Sequence, residues 1–385
     1  MSVARRAVAL ALGAVCIVWL SGCALRPSVA AAPAPKGQKS VGAHPGTPHR
    51  EPLLPRTLVP YTGTVYAVFF HPLIVYPRVA FSSGEALGLQ KWMVTVSEFD
   101  RVLPQLYANG FILVSPYDLF SLTTEDGRTT VARKTLLLPP GKKPLLLSID
   151  DLNYYTYMRQ DGLCQKLVID GAGNIAALCP TPSGVPVISE GDTIIGIVHR
   201  FVEAHPDFSF DGAEGMINET GYEGVLGYRT EAGSPDRTAQ IAAVRPVIAR
   251  LGEEGWIFAS HSFGHYNDAR ISLQQFTYDT TEWMQQVEPL VGPTPFYVYP
   301  FGATVPPAGP KMALLVRDGF VMMFGVGPEP AWQWYPTFVT LDRVHVDGLS
   351  LLTEGAMLEP YFNAATVIDR QERGLSPTAT SFPNP

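Results

Sequence analysis

Two histidines four residues apart, and two adjacent carboxylates upstream of them, are the residues best suited to chemistry. His261 and His265 end a His-Ser-Phe-Gly-His run, and Asp150 stands next to Asp151. Two imidazoles at this spacing can converge on one metal ion, and an oxygen ligand from elsewhere can complete a facial triad. Such a triad leaves coordination positions open for water and substrate. If one carboxylate binds the metal and the other remains free as a base, the pattern predicts a metal-dependent hydrolase.

These groups lie just after predicted strands. The strand predicted over 145–149 is followed by Asp150-Asp151, the strand over 256–259 by Ser260 and His261, and the strand over 296–299 by Pro300-Phe301. In α/β barrels the carboxyl ends of the strands form the edge at which sites assemble. We therefore expect residues that are distant in sequence to meet there.

The elements that must position them alternate between strands and helices. Further strands are predicted at 65–70, 111–114 and 338–346, and helices at 193–204, 238–251 and 280–290. Ser97 is predicted to cap another helix that Gly110 ends. Pro246 is expected to kink or divide the helix over 238–251. The alternation indicates a parallel sheet or barrel.

The composition suits a globular protein. The chain has 385 residues, which allows one large or two ordinary domains, and 46% of them are hydrophobic. The formal net charge of −7 argues against a nucleic-acid or anionic-membrane surface, because both require basic patches.

The N-terminus has the features of a targeting segment. Arg5-Arg6 precedes an apolar run over 7–20, and the Leu-Ser-Gly-Cys sequence that ends at Cys23 resembles a bacterial lipobox. The resemblance implies that 1–22 is a cleaved signal peptide and that lipid is attached to Cys23. An ordinary signal peptide or an uncleaved anchor is the alternative. Each of these readings places the mature domain outside the cytoplasm.

The remaining boundaries follow from composition. Residues 23–60 are rich in Pro, Ala and Gly and are predicted to form a flexible tether, and 374–385 a disordered tail. Between them, Cys164 and Cys179 flank two short predicted strands around 170–174. An oxidising compartment and a hairpin between the two thiols favour a Cys164–Cys179 disulfide.

The order of the motifs resembles that of polysaccharide deacetylases with a NodB homology domain, in their extracytoplasmic branch. The Thr-Phe-Asp-Asp-Gly motif of that family stands here as Ser-Ile-Asp-Asp-Leu at 148–152. Its His-Ser/Thr-x-x-His motif is matched in full at 261–265, and its Arg-x-Pro-Tyr/Phe-Gly motif in part by Tyr-Pro-Phe-Gly at 299–302. The resemblance covers about 61–373, with an insertion at about 153–215, and implies an α/β fold, a distorted (β/α) barrel.

The resemblance also implies roles for individual residues. Asp151, His261 and His265 would bind a divalent metal, most often zinc in this family. Asp150 would be the base that takes a proton from metal-bound water. A backbone N–H near Phe301 would stabilise the oxyanion, and His345 would be the acid that protonates the leaving amine. The acyl group removed would be acetyl, from an N-acetyl sugar.

Two residues depart from the family pattern. Leu152 stands in place of Gly, so the turn after the carboxylates must differ. Val298 stands where the family has the Arg that orients the base. Arg229 or Arg343 is expected to substitute for that Arg, and the sequence does not distinguish between them.

The resulting prediction is a lipid-anchored, extracytoplasmic hydrolase that removes N-acetyl groups from a cell-envelope or extracellular polysaccharide such as peptidoglycan. One alternative is a catalytically silent carbohydrate-binding lipoprotein, which the missing Arg favours. Another is a deacylase for a different amide or ester. A His-His-Asp site also accepts cobalt, nickel or iron, so the identity of the metal stays open.

Overall fold

Seven parallel strands form a closed barrel in the computed structural model, which describes residues 57–382. The barrel strands are β1 (Tyr66–Phe70), β2 (Lys143–Asp150), β3 (Gly215–Glu219), β4 (Trp256–Ser260), β5 (Phe296–Val298), β6 (Met322–Val326) and β7 (Val339–His345). Each pairs with the next in chain order, and β7 returns to pair with β1. The predicted (β/α) barrel is therefore confirmed.

The barrel is distorted where β2 meets β3. Only the last residues of β2 pair with β3, from Ser148 to Asp150. The first residues of β2 pair with a separate parallel strand, Phe111–Leu113. This extra strand opens the amino end of the barrel at that joint, while the carboxyl ends of β2 and β3 stay adjacent.

Helices surround the barrel and bury one face each against it. The longer ones are α1 (Ala86–Trp92), α2 (Val96–Ala108), α3 (Ile194–Ala204), α4 (Arg237–Glu254), α5 (Leu273–Gln286), α6 (Pro310–Arg317) and α7 (Gly348–Thr353). In α3, for example, Ile195, Val198 and Val202 are buried. Each such side chain contributes about 1.5–3 kcal/mol relative to exposure.

Smaller elements decorate the barrel. The short helices are Pro77–Ala80, Thr156–Gln160, Glu288–Val291, Gly355–Leu358 and Ala364–Val367. The strands outside the barrel form a hairpin (Phe120–Glu125, Arg128–Arg133), a three-stranded sheet (Lys166–Ile169, Ile175–Pro180, Pro186–Ser189), a short pair (Val59–Pro60, Leu137–Leu138), and Trp332–Trp334, which pairs with β7. The predicted disulfide is present between Cys164, which precedes the first strand of the three-stranded sheet, and Cys179, which lies in the second.

Two predicted details of the helices are wrong. Thr95, not Ser97, caps α2, because Thr95 and Glu98 form a reciprocal capping box while the Ser97 hydroxyl bonds to Glu372. Pro246 does not divide α4, which continues from Arg237 to Glu254. Pro246 is exposed, so the carbonyl that it leaves without a partner one turn earlier faces solvent.

The helix predicted over 280–290 begins seven residues earlier. Its first residue is Leu273, and the hydroxyl of Ser272 caps it by accepting a bond from the amide of Gln275. The first turn is too polar for its apolar periodicity to be recognised. Strands β3 and β6 are also absent from the sequence prediction, although β6 is an apolar run.

The predicted disorder of 374–385 is wrong as far as Phe382. The guanidinium of Arg370 donates to the carbonyls of Ser376 and Ala379, and the buried ring of Phe382 lies 5.7 Å from the guanidinium of Arg373. At the other end, the last residues of the predicted tether belong to the domain, because Val59 and Pro60 pair with another strand.

The signal peptide over 1–22, the lipidation of Cys23 and the rest of the tether lie outside the described residues. Among residues 57–382, the helices are too short or too polar to span a bilayer.

Candidate active site

A cavity of about 390 Å³ opens at the carboxyl end of the barrel. It is bordered by the chemically active residues that the sequence indicated: Asp150, Asp151, His261, His265, Phe301 and His345. They lie at the ends of β2 and β7 or in the loops that follow β2, β4 and β5. The topology of the barrel thus brings together groups that are far apart in the chain.

Asp151, His261 and His265 form a cluster with the spacing of metal ligands. One ligand atom from each lies within 4.8 Å of the others, and His265 Nε2 is 3.5 Å from Asp151 Oδ2. Two atoms bound tetrahedrally at about 2.0–2.2 Å from zinc are roughly 3.4 Å apart. The donor set of two imidazoles and a carboxylate therefore fits a divalent transition metal.

The imidazole of His261 is held in the orientation that a metal ligand requires. Its Nδ1–H donates to the carbonyl oxygen of Val298 at 2.9 Å, which leaves the lone pair of Nε2 directed at the cluster. Burial lowers the pKa of His261 and keeps the ring neutral, although the nearby carboxylates oppose this. Val298 thus contributes its backbone at the position where the family has an arginine.

Asp151 is held by a residue that the sequence did not single out as its partner. The hydroxyl of Tyr155 donates to Asp151 Oδ1 at 2.6 Å, while Oδ2 lies toward His265. Burial alone would raise the pKa of Asp151, but the imidazoles of His265, His261 and His71 outweigh it and lower the pKa. One oxygen is thus fixed by the protein, and the other stays directed at the metal cluster.

Asp150 is held by a guanidinium from β7, which is separated from β2 by one strand, β1. Arg343, on β7, donates from Nη1 to Oδ1 at 2.7 Å and from Nη2 to Oδ2 at 2.9 Å. Asn218, on β3, donates to Oδ1 at 2.5 Å. Burial alone would raise the pKa of Asp150, yet Arg343 and His261 hold it well below its usual range. Asp150 Oδ2 also lies 3.9 Å from His261 Nε2, beside the metal cluster.

The two arginines that were candidates to orient the base have different surroundings. Arg343 is buried, forks onto Asp150 and lies 4.3 Å over the ring of Phe69. Arg229 instead pairs with Glu223 at 2.9 Å and donates to the carbonyl of Tyr154 at 3.0 Å, which fastens the loop after β2. The structure therefore brings Arg343, and not Arg229, to the carboxylate.

His345 lies between two carboxylates at the edge of the cavity. Its Nδ1 is 2.8 Å from Asp347 Oδ2 and its Nε2 is 2.9 Å from Glu354 Oε2. Burial alone would lower the pKa of His345, but the two carboxylates outweigh it and raise the pKa. The imidazolium form is thus favoured, as an acid requires.

If His345 acts as an acid, we expect Asp347→Asn to lose catalytic activity at a lower pH than the wild type as the pH rises. The variant removes the carboxylate that most raises the pKa of His345. In the wild type, the charged His345 contributes stability below its unfolded pKa, and that stability is lost as pH rises through the folded pKa. The same variant should therefore lose stability mainly on the acid side. Catalytic rates and urea unfolding measured from pH 5 to pH 9 test both effects. If the pH at which the catalytic rate falls is the same in the variant and the wild type, His345 is not the acid.

Four residues around the cavity have left-handed backbone conformations although none is glycine. The φ angles are 59° for Asp151, 59° for Ser262, 51° for His265 and 58° for Phe301. Such conformations cost about 1–3 kcal/mol each and persist only where the surrounding structure holds them. The backbone that carries two of the three candidate ligands is therefore constrained before any ligand binds.

Aromatic side chains border the mouth of the cavity. The ring of Phe301 packs edge-on against His265 at 4.5 Å and is 68% exposed, while Trp92 and Tyr157 are 49% and 39% exposed. Of the tyrosines that follow the carboxylates, Tyr154 and Tyr155 are buried, so only Tyr157 presents a surface to the cavity.

Asn218 and Tyr155 are the functional partners that sequence reasoning missed. Asn218 lies near the end of β3, a strand absent from the sequence prediction, although its Met-Ile-Asn-Glu sequence repeats the pattern of apolar residues followed by polar ones that marks Asp150. That pattern was the available signal. Tyr155 gives no such signal, because its hydrogen bond to Asp151 depends on a turn that the sequence does not reveal.

No protein-family model matches the chain, and no curated protein matches it. Several solved structures do. The deacetylase PplD of Streptococcus pyogenes, solved with acetate, is 14% identical with a TM-score of 0.42, over 79% of this chain and 99% of its own. IcaB of Ammonifex degensii is 14% identical with a TM-score of 0.39, over 74% of this chain and 93% of its own. A polysaccharide deacetylase of Bacillus cereus is 13% identical with a TM-score of 0.39, over 73% and 64%.

Two of these three names carry the activity of the family that the sequence motifs resemble. All of these TM-scores lie below 0.5.

Proposed function

We propose that the protein is a metal-dependent hydrolase that removes N-acetyl groups from a polysaccharide. The observation that carries this proposal is the presence of two differently held carboxylates in one cavity. Asp151 faces the two imidazoles of the metal cluster, whereas Asp150 is ionised by Arg343 and stands beside that cluster. Asp151 would thus serve as the metal ligand and the adjacent Asp150 as the base.

Asp151, His261 and His265 would hold the divalent cation, which when bound supplies Lewis-acid polarisation of an acyl carbonyl and lowers the pKa of water. The fork from Arg343 keeps Asp150 ionised, so that Oδ2 can accept the proton of the attacking water. His345, charged by its two neighbouring carboxylates, would return a proton to the departing amine. The backbone N–H near Phe301 is proposed as the donor to the developing oxyanion.

The aromatic residues at the cavity mouth support a sugar substrate. Trp92, Tyr157 and Phe301 offer exposed ring faces or edges beside the cluster, and such rings pack against the apolar C–H faces of pyranose rings. We propose a cell-envelope or extracellular glycan that carries N-acetyl groups, such as peptidoglycan. Zinc is the proposed metal, and the proposed location is outside the cytoplasm, on a lipid at Cys23.

The test combines metal content with acetate release. Full-length wild type, His261→Ala and Asp151→Ala proteins would be stripped with a chelator, reloaded with Zn²⁺ and assayed on acetylated chito-oligosaccharides and peptidoglycan. We expect the wild type to bind zinc at the cluster and release acetate, and both variants to lose this zinc and the activity.

Metal binding at the cluster without acetate release from either glycan would favour the silent carbohydrate-binding protein or a deacylase for another acyl group. If the wild type binds no more metal than His261→Ala and Asp151→Ala do, the proposed mechanism is excluded.

A further inference from the structure

A buried carboxylate on α5 holds the backbone between the two histidines of the metal cluster, the histidine loop (261–265). Asp279 lies within α5 and is 1% exposed. Its Oδ2 accepts from the backbone N–H of Phe263 at 2.8 Å, and its Oδ1 accepts from the backbone N–H of Gly264 at 2.7 Å. Asp279 does not border the cavity, so the proposed mechanism gives it no part in the reaction.

The histidine loop has a backbone that needs such support. Ser262 and His265 both have left-handed conformations, with φ angles of 59° and 51°, and such conformations persist only where the surrounding structure holds them. The two consecutive N–H groups between them converge on one carboxylate, and a concavity of backbone donors of this kind favours an anion. Asp279 supplies that anion from a neighbouring helix.

A further hydrogen bond connects the carboxylate to His265 itself. The hydroxyl of Ser262 bonds to the Asp279 carboxylate, and Ser262 Oγ accepts from the backbone N–H of His265 at 3.0 Å. Gly264 permits the close approach, because a Cβ atom at this position would lie 3.1 Å from Asp279 Oδ1. The backbone of His265 is therefore fixed through a chain of hydrogen bonds that ends on α5.

The three candidate ligands differ in how their side chains are held. The imidazole of His261 is fixed by a backbone carbonyl, and the carboxylate of Asp151 by a tyrosine hydroxyl. The imidazole of His265 is 21% exposed, lies 3.5 Å from Asp151 Oδ2 and has the ring of Phe301 packed against it. The place of this ligand thus depends most on the backbone that carries it.

We propose that Asp279 is a positioning residue of the metal cluster. By accepting the hydrogen bonds of the histidine loop, it holds His265 where the imidazole can bind the cation together with Asp151 and His261. The inference rests on the metal site of the proposed function. Because these hydrogen bonds are present without a cation, the ligands would be arranged before it binds, which strengthens binding.

The test measures the affinity of the full-length protein for Zn²⁺ by competition with a chelator. Asp279→Asn keeps the size of the side chain, but its amide has one acceptor oxygen, and its NH₂ group would face one of the two N–H groups. Asp118→Asn is the matched control. Asp118 also accepts from a backbone N–H, that of Ser115 at 3.1 Å, but it borders neither the cavity nor the histidine loop.

We expect Asp279→Asn to bind Zn²⁺ about 10–100-fold more weakly than the wild type, which is the usual effect of removing a group that orients a metal ligand. The absorption spectrum of bound Co²⁺ should also change, because His265 would no longer be held in the same place. Asp118→Asn should lose stability alone and keep the Zn²⁺ affinity and the Co²⁺ spectrum of the wild type. A merely structural role for Asp279 would give the same result as this control and would overturn the proposal.

Hydrogen exchange in the metal-free wild type is a second test, which does not require the variant to fold. The histidine loop should exchange slowly before any Zn²⁺ is added, because Asp279 already holds its N–H groups. Fast exchange that becomes slow only with Zn²⁺ would overturn the proposal, since the metal and not Asp279 would then hold the loop.

Failure of this inference can be distinguished from failure of the proposed hydrolase. Weaker Zn²⁺ binding by Asp279→Asn, with no acetate release by the wild type, would support the inference and count against the hydrolase. Acetate release by the wild type, with equal Zn²⁺ affinities in both proteins, would support the hydrolase and overturn the inference. A wild type that binds no Zn²⁺ at the metal cluster would overturn both.

Discussion

Changing Asp150 to Asn is expected to lower kcat for acetate release by about 10²–10⁴-fold while the metal at the cluster stays bound. The amide cannot accept a proton as a carboxylate does, whereas Asp151, His261 and His265 remain in place. The fork from Arg343 would also lose its anionic partner. Steady-state kinetics with metal analysis on the same preparation gives both quantities.

Asp151→Asn is the matched control, because it changes the adjacent carboxylate by the same atoms. It should lose metal and activity together, since Asp151 faces the imidazoles. If Asp150→Asn retained more than about a tenth of the wild-type kcat, the base would have to be another group.

Replacing Arg343 by Met is expected to reduce the free energy of unfolding at neutral pH by about 3–5 kcal/mol. Asp150 would then be a buried carboxylate without its guanidinium, and its pKa would rise. The sign follows from linkage: a carboxyl group with a depressed folded pKa contributes stability above its unfolded pKa of about 4, and that stability is lost as pH falls through the folded value. The difference between wild type and variant should therefore narrow in acid, which urea unfolding at several pH values measures.

A double variant separates the ion pair from packing. Asp150→Asn/Arg343→Met removes both charges and keeps an apolar side chain of similar length against the ring of Phe69. Replacing a buried ion pair by uncharged residues is often neutral for stability. The double variant should therefore lose less free energy of unfolding than the sum of the losses in the two single variants. Additive costs would show that the two residues are not energetically coupled.

The meeting of Asp150, Asp151, His261 and His265 could be predicted from the sequence. Each pair of groups follows a short apolar run, and in a closed parallel barrel such positions share one rim. The resemblance of the motifs to a family gave their order. Neither inference depends on the length of a helix. The errors at the start of α5 and at the cap of α2 therefore do not change the predicted site.

The partners of these groups could not be predicted in the same way. The choice of Arg343 over Arg229 depends on how the barrel closes, because the pairing of the last strand, β7, with the first, β1, places β7 only two strands from β2. Asn218 required recognition of β3, a strand of five residues. The order of the tail up to Phe382 depends on Arg370 and Arg373. Their contacts follow no regular spacing in the sequence, so the sequence carries no periodic pattern that would predict them.

Arg343 reaches the base from the last strand of the barrel. In the family that the motifs resemble, the arginine beside the base belongs to the third motif, and here Val298 stands at that place while β7 supplies the guanidinium. All strands of a closed barrel end on one ring, so a cation can reach the same carboxylate from more than one of them. Different strands can therefore supply the cation beside the base while the ligand residues stay the same. A sequence search that requires an arginine in the third motif would miss the site of this chain, whereas a structural search that requires a cation beside the carboxylate would find it.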